Sequence, residues 1–217
     1  IVALTGTGSV QFDSNGDSTF GDTNKTLNSG SFTISTRDAV AEAITLTATD
    51  GNQKTGSSSS LTISPGPIDH YLVSAASPQT AGTAFTVTVT AQDANTNTVT
   101  ADSSTTVTLT GTGSVQFDRN GDSTFGDQIK PLTNGVLTIS ARDTVAQSII
   151  LTATDGNLKT GSSSNITVNP AAIDHYHVSA ASPQTAGALF PTTVTAKDSF
   201  DNTVTTDSFT VVTLTGS

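Results

Sequence analysis

The chain has 217 residues, 18 acidic against 8 basic side chains, a formal net charge of −10, and no Cys, Met or Trp. Zero cysteine excludes disulfides, thiol chemistry and thiolate metal sites. With no basic excess and 5% aromatic residues, nothing neutralises phosphates or stacks bases, and no apolar run approaches the ~18 residues of a membrane-spanning helix.

What the composition favours is β structure, because 43 Thr and 27 Ser accompany abundant Val and β-branched side chains suit a half-exposed strand. The elements come twice. Leu4-Thr-Gly-Thr-Gly-Ser-Val-Gln-Phe12 returns as Leu109 to Phe117, and the offset of 105 holds without a gap through Thr215. Between residues 4–108 and 109–213, 73 of 105 positions are identical, which indicates recent duplication. A period of that length is one small domain rather than a solenoid turn.

In chain order, the first motif is Asp13-Ser-Asn15-Gly-Asp17-Ser-Thr-Phe-Gly-Asp22. The stretch Asp38 to Ile44 has helix-like residues, but its counterpart Asp143-Thr-Val-Ala-Gln-Ser-Ile149 is a poor helix former, so no helix is expected. A proline-bearing break at Ile63-Ser-Pro-Gly-Pro-Ile68 sets the repeat boundary, and its copy is Val168-Asn-Pro-Ala-Ala-Ile173. Residues 68–172 are then one whole repeat. Residues 1–67 are the back part of a preceding one, with its third to seventh strands, and 173–217 are the front part of a following one, with its first three.

Within the whole repeat, Phe85-Thr-Val-Thr-Val-Thr-Ala91 alternates apolar and Thr residues, the period of a half-buried strand. Similar runs lie at Thr105 to Thr110, Val136 to Ala141, Ile149 to Thr154 and Asn165 to Val168. Asn134-Gly135 between apolar runs predicts a hairpin turn. Six or seven strands in 105 residues predict an all-β fold of tandem Ig-like antiparallel β-sandwiches. In the third segment Pro191 stands where Thr86 stands in the strand just described, which predicts a bulge or a late strand start.

The runs Ile68-Asp-His-Tyr-Leu-Val-Ser and Ala81 to Asp93 resemble the bacterial immunoglobulin-like (Big) tandem repeats of large cell-surface and adhesin-type proteins. So do Asn97-Thr-Val-Thr, Val107-Thr-Leu-Thr-Gly, the Asn134-Gly135 hairpin and Leu151-Thr-Ala-Thr-Asp-Gly156. The chain departs from invasin-type units by an Asp-rich stretch after the third strand. The resemblance implies an extracellular, multi-domain, non-catalytic protein at the bacterial cell surface.

The candidate metal ligands are Asp13, Asn15, Asp17 and Asp22, with Asp118, Asn120, Asp122 and Asp127 in the second copy. Oxygen side chains at positions 1, 3 and 5 with a later carboxylate can converge on Ca²⁺, which takes six to eight oxygens. Glycine at position 4 and the lack of Glu at position 12 separate the loop from an EF-hand. The bland alternative is an Asn-Gly turn made soluble by aspartates. Arg119 takes an x position, from which its side chain can point to solvent.

Asp69-His70-Tyr71 and Asp174-His175-Tyr176 resemble acid–base material, but alternation puts Tyr71 and Val73 on the core face and the histidines on the open face or against a neighbouring domain. No Ser has a Gly-x-Ser-x-Gly elbow, so no nucleophile is assigned and no enzyme activity is expected. Asp93-Ala-Asn-Thr-Asn97 and Asp198-Ser-Phe-Asp-Asn202 read as loop turns, with a second cation site as the alternative. The Thr faces are either plain strand surface or O-glycan acceptors spaced ~6–7 Å apart. Asn24-Lys-Thr26 and Asn165-Ile-Thr167 are N-glycosylation triplets at non-equivalent positions, read as coincidental.

The functional expectation is a structural repeat segment of a surface stalk or fibre. Its rivals are an adhesin module for a host or glycan receptor and an accessory domain of a secreted hydrolase. The chain has no initiator Met, signal segment or lipidation motif, so it reads as less than a complete gene product. Its tail and head are complementary halves that together run seven residues past one period. The expected partners are therefore neighbouring copies of the repeat, along one long polypeptide or by strand addition between chains.

Overall fold

The computed structural model describes residues 1–216; Ser217, the last residue of the expected 173–217 segment, lies outside the described residues. The fold is all-β, and no described residue is helical. Two compact units divide it, one made of Ile1–Asp69 with Gln92–Thr100, the other of His70–Ala91 with Ala101–Ser217.

The first unit contains β1 (Val2–Gly6), β2 (Gln11–Asp13), β3 (Asn24–Lys25), β4 (Ser35–Arg37), β5 (Ala43–Ile44), β6 (Leu46–Asp50), β7 (Thr55–Ser57) and β8 (Leu61–Thr62). They form one four-stranded sheet, β3-β1-β6-β7, and two separate ladders, β2-β4 and β5-β8, all antiparallel. Few side chains close over: Phe12 and Ile44 are 3% and 2% exposed, while Leu4, Leu46 and Ala48 stay half-buried. Asp38 to Glu42 form a bend, as the poor helix propensity of the second copy predicts.

The second unit begins with β9 (His70–Ala75), β10 (Gln79–Thr80), β11 (Phe85–Gln92), β12 (Thr106–Gly111), β13 (Gln116–Asp118), β14 (Ile129–Pro131) and β15 (Val136–Arg142). It continues with β16 (Ser148–Ile149), β17 (Leu151–Asp155), β18 (Thr160–Ser162), β19 (Ile166–Asn169), β20 (His175–Ala180) and β21 (Thr192–Lys197). One sheet has the order β13-β15-β11-β9, a second β14-β12-β17-β18, and a third, short one β10-β19-β16. Alternation along β11 buries Phe85, Val87, Val89 and Ala91 and turns Thr86, Thr88 and Thr90 outward. Leu137, Ile139 and Ala141 of β15 do the same beside them, and Val107, Leu109, Leu151 and Ala153 supply the second sheet's inner face. Each fully buried aliphatic side chain contributes about 1.5–3 kcal/mol of transfer free energy.

The hairpin turn is where the Asn-Gly pair predicts it. Asn134 and Gly135 take φ of 49° and 76°, the left-handed pair of a two-residue hairpin, and Thr133 and Val136 exchange both backbone hydrogen bonds. Ser29 and Gly30 make the same turn in the first unit, at φ of 48° and 83°. The late strand start is also present: β21 begins at Thr192, directly after Pro191, whereas β11 begins at Phe85, the equivalent of Phe190.

One expected strand needs correction. Ile149 to Thr154 is two strands rather than one, because β16 pairs with β19 while β17 pairs with β12 and β18. The chain changes sheets at Ile150, whose side chain is exposed. A single alternation can run through such a crossing, since both flanking segments face the same core.

Candidate functional site

The Asp loops follow β2 and β13, and both begin on a buried aspartate. Asp13 is 4% exposed and Asp118 3%. Asp13 accepts the Gly16 amide on Oδ1 at 2.7 Å and the Ser18 amide on Oδ2 at 3.0 Å. Asp118 accepts Asn120 and Gly121 on Oδ1 and Ser123 on Oδ2, at 3.2, 2.8 and 2.9 Å. The turn needs left-handed backbone at Gly16 and Ser18, with φ of 81° and 67°, and at Gly121 and Ser123, with φ of 77° and 67°.

The third and fifth positions engage each other. Asn15 donates Nδ2 to Asp17 Oδ2 and accepts the Asp17 amide on Oδ1, both at 3.0 Å, and Asp17 Oδ1 accepts the Thr19 amide at 2.7 Å. Asn120 and Asp122 repeat this pairing, with Thr124 as the amide donor. The backbone amides of Thr19 and Thr124, followed by the Asn side chains, hold Asp17 and Asp122 below the usual carboxylate range. Both loops close when the amides of Gly21 and Asp22, or Gly126 and Asp127, donate to the carbonyl of Phe12 or Phe117. Arg37 covers the Phe20 ring and Arg142 the Phe125 ring, each at 4.0 Å from the centroid.

The copies differ at the last ligand. In the first, oxygens of Asp13, Asp17 and Asp22 lie within 4.8 Å of one another, and no other such group of three is present among the described residues. In the second, Ser14 is replaced by Arg119, whose Nε lies 3.9 Å from Asp127 Oδ2. Lys130 Nζ donates to the Arg119 and Thr138 carbonyls, and its equivalent Lys25 donates to the Thr33 carbonyl in the first copy, so Arg119 is the cation that sets the second loop apart. The donor set suits a hard divalent cation in the first copy, because each carboxylate oxygen keeps a lone pair beyond its amide partner. In the second, the exposed Arg119 guanidinium stands at ion-pair distance from the outer carboxylate and competes with a cation there.

Tyr71 and Val73 lie on the core side of β9, 3% and 4% exposed, and Leu72 on the open side. The sequence did not disclose that Tyr71 Oη donates to buried Asp155 Oδ2 at 2.9 Å. Burial, then that carboxylate, pushes the phenol upward, so it stays a donor. Alternation could have pointed to a core tyrosine needing a polar partner, but not to which one. His175 sits between Asp174 Oδ2 at 3.1 Å and Asp201 Oδ1 at 3.3 Å, all exposed. The Asp93 and Asp198 loops are turns: Asp93 Oδ1 accepts the amides of Asn95 and Asn97, and Asp198 Oδ1 those of Phe200 and Asn202.

No known family model matches the chain, and no curated protein matches it. Among solved structures, it is similar over 73% of its length to a glycosyl hydrolase family 2 member from Bacteroides cellulosilyticus DSM 14838, at 16% identity and a TM-score of 0.42. It spans 22% of that chain. Similarity to the surface layer protein SbsC, domains 4–9, covers 76% of this chain and 25% of that one, at 16% identity and a TM-score of 0.36. InvD of Yersinia pseudotuberculosis is matched over 94% of this chain and 61% of that one, at 15% identity and a TM-score of 0.42.

Proposed function

We propose that the chain is a structural, non-catalytic segment of a bacterial extracellular stalk or fibre, built of 105-residue Ig-like repeats that start at Ile68 and Ile173. The observation that carries this reading is a pair of open edges. β15 lies between β13 and β11, whereas its equivalent β4 pairs with β2 alone; β11 lies between β15 and β9, whereas its equivalent β21 pairs with β20 alone. Each edge lacks what the other offers. Transferring the register Val89↔Leu137 by one period places Val194 opposite Phe32. In this reading the partners are neighbouring copies of the repeat, in the same polypeptide or in the next chain. On the same reading the Asp13 loop is a Ca²⁺ site that stiffens the repeat, with the Asp118 loop its weaker counterpart, and the outward Thr rows are plain strand surface whose hydroxyls are open to O-linked glycans.

The test uses the period itself. Residues 1–210 are two whole periods, so Thr210 joined to Ile1 of a second copy creates a complete repeat from 173–210 and 1–67. Stretched between its ends, the 217-residue chain should show one rupture with an increment of about 35 nm. The fused chain should show three equal ones. Two ruptures, with the new junction silent, would overturn the reading.

A further inference from the structure

The loops after β11 and β21 do more than turn the chain. Asp198 is fully buried, at 0% exposure, and its Oδ2 accepts the Ala171 amide at 2.9 Å. Asn202 uses every polar atom it has. Its Nδ2 donates to Asp198 Oδ2 at 2.9 Å and to the Thr144 carbonyl at 2.8 Å, and its Oδ1 accepts the Ala146 amide at 2.9 Å. Thr144 and Ala146 belong to the turn between β15 and β16, which Asp143 organises by accepting the Val145 amide and Gln147 Nε2. Ala171 belongs to the proline-bearing break.

The same contacts recur one period earlier, inside the first unit. Asp93 Oδ2 accepts the Gly66 amide at 2.8 Å. Asn97 donates Nδ2 to Asp93 Oδ2 at 3.0 Å and to the Ala39 carbonyl at 2.9 Å, and accepts the Ala41 amide on Oδ1 at 2.9 Å. The sequence separations are identical in the two cases: 27, 56 and 58 residues. The Asn97 side chain, foremost, holds Asp93 down to about 2. Burial would raise Asp198, but Asn202, Ala171 and Phe200 outweigh it and keep that carboxyl low.

Two features make this a built receptor rather than a chance contact. Nearly all of what it grips is backbone, so any repeat with the same turn fits whatever its surface residues are. And the asparagine is chemically determined: it must present two donors and one acceptor in one plane. An aspartate of the same shape would set a second carboxylate against Asp198 and two acceptors against one another, leaving the Thr144 carbonyl without its donor. The second loop adds an apolar contact, since Phe200 covers Gly82 so closely that a Cβ there would strike its ring.

We infer that the Asp-x-x-x-Asn loop is the docking element by which each repeat seats on the turn and break of the repeat before it. The inference rests on the repeat boundaries proposed above and names the partner as a preceding repeat of the same kind.

The experiment is amide hydrogen exchange on the full 217-residue chain carrying Asn202→Asp, with the Asn97 loop as internal reference. Exchange at Ala146 and Ala171 should accelerate about tenfold or more, while Ala41 and Gly66 stay unchanged, as do Val89 and Leu109 in the core. Asn97→Asp should do the reverse, releasing Ala41 and Gly66 alone. Unchanged exchange at Ala146 and Ala171 would overturn the inference. So would acceleration shared with Val89 and Leu109, which would make the loop part of the repeat's own fold. Because exchange reads the docking contacts and stretching reads the repeat count, the two proposals fail separately.

Discussion

Ile68-Asp-His-Tyr71 and Ile173-Asp-His-Tyr176 are the same four residues, each opening a strand of equal length. Yet Tyr71 is 3% exposed and Tyr176 38%, and Val73 is 4% exposed against 52% for Val178. The head of the chain shows the same contrast from the other side. Leu109 of the second copy is 1% exposed and Leu151 and Ala153 are 0%, while their equivalents Leu4, Leu46 and Ala48 are only half-buried. Burial here belongs to the set of strands present, not to the residue or its immediate neighbours.

The comparison can be broken most forcefully at a glycine. A Cβ on Gly161 of β18 would run into the Tyr71 carbonyl of β9, whereas one on Gly56, its equivalent, meets nothing within 4 Å. Gly161→Ala should therefore destabilise by about 3 kcal/mol through overpacking, and Gly56→Ala should be neutral or slightly stabilising, since Ala restricts the unfolded chain more than Gly. Chemical denaturation checks both. In the fused chain Gly56→Ala should become as costly as Gly161→Ala; if it stays neutral there, the copies differ for reasons other than the strands packed beside them.

A smaller effect is expected at the tyrosines. Tyr71→Phe removes the donor to buried Asp155 and should cost about 1–2 kcal/mol, whereas Tyr176→Phe should change stability by less than about 0.5 kcal/mol. Equal costs, measured by the same unfolding curves, would mean that the tail buries its tyrosine in solution.

The smallest effect separates the two Asp loops. Calcium should raise the melting temperature, in proportion to RT ln(1 + [L]/Kd), and EDTA should reverse the rise. Arg119→Ser should strengthen binding at the second loop about fivefold by removing one nearby cation, and Ser14→Arg should weaken the first by a similar factor. A melting temperature indifferent to both calcium and EDTA would leave the loops as turns.

These differences mark what could be read from the residues alone. The alternation of Phe85 to Ala91 and the Asn134-Gly135 pair are local signals, and both elements are where those signals put them. Short strands such as β13, β14 and β18, three residues each, are too brief for a period to show. The sheet change at Ile150 is silent because both sides of it stay in phase. The Asp loops were legible as ligand-like spacings, but the ion pair of Arg119 with Asp127 depends on how the loop folds back. Least visible was the role of Asn97 and Asn202. Nothing within five residues of either reveals a partner 56 residues away, and Glu42 against Gln147 shows how little the surrounding sequence helps: only Gln147 donates to its aspartate, leaving Asp38 Oδ2 buried without a hydrogen-bond partner.

The docking contacts also bear on how such a gene can change length. Every residue that grips lies one period from its counterpart, and so does every residue that is gripped. Unequal crossing-over between copies 73 of 105 identical removes or inserts a whole number of periods, wherever within the repeat it strikes. A hybrid repeat formed that way still inherits one asparagine loop at its front and one backbone turn at its back. Each junction in the recombinant is therefore complete without any compensating mutation. The length of the folded array becomes a quantity that recombination alone can adjust, one repeat at a time.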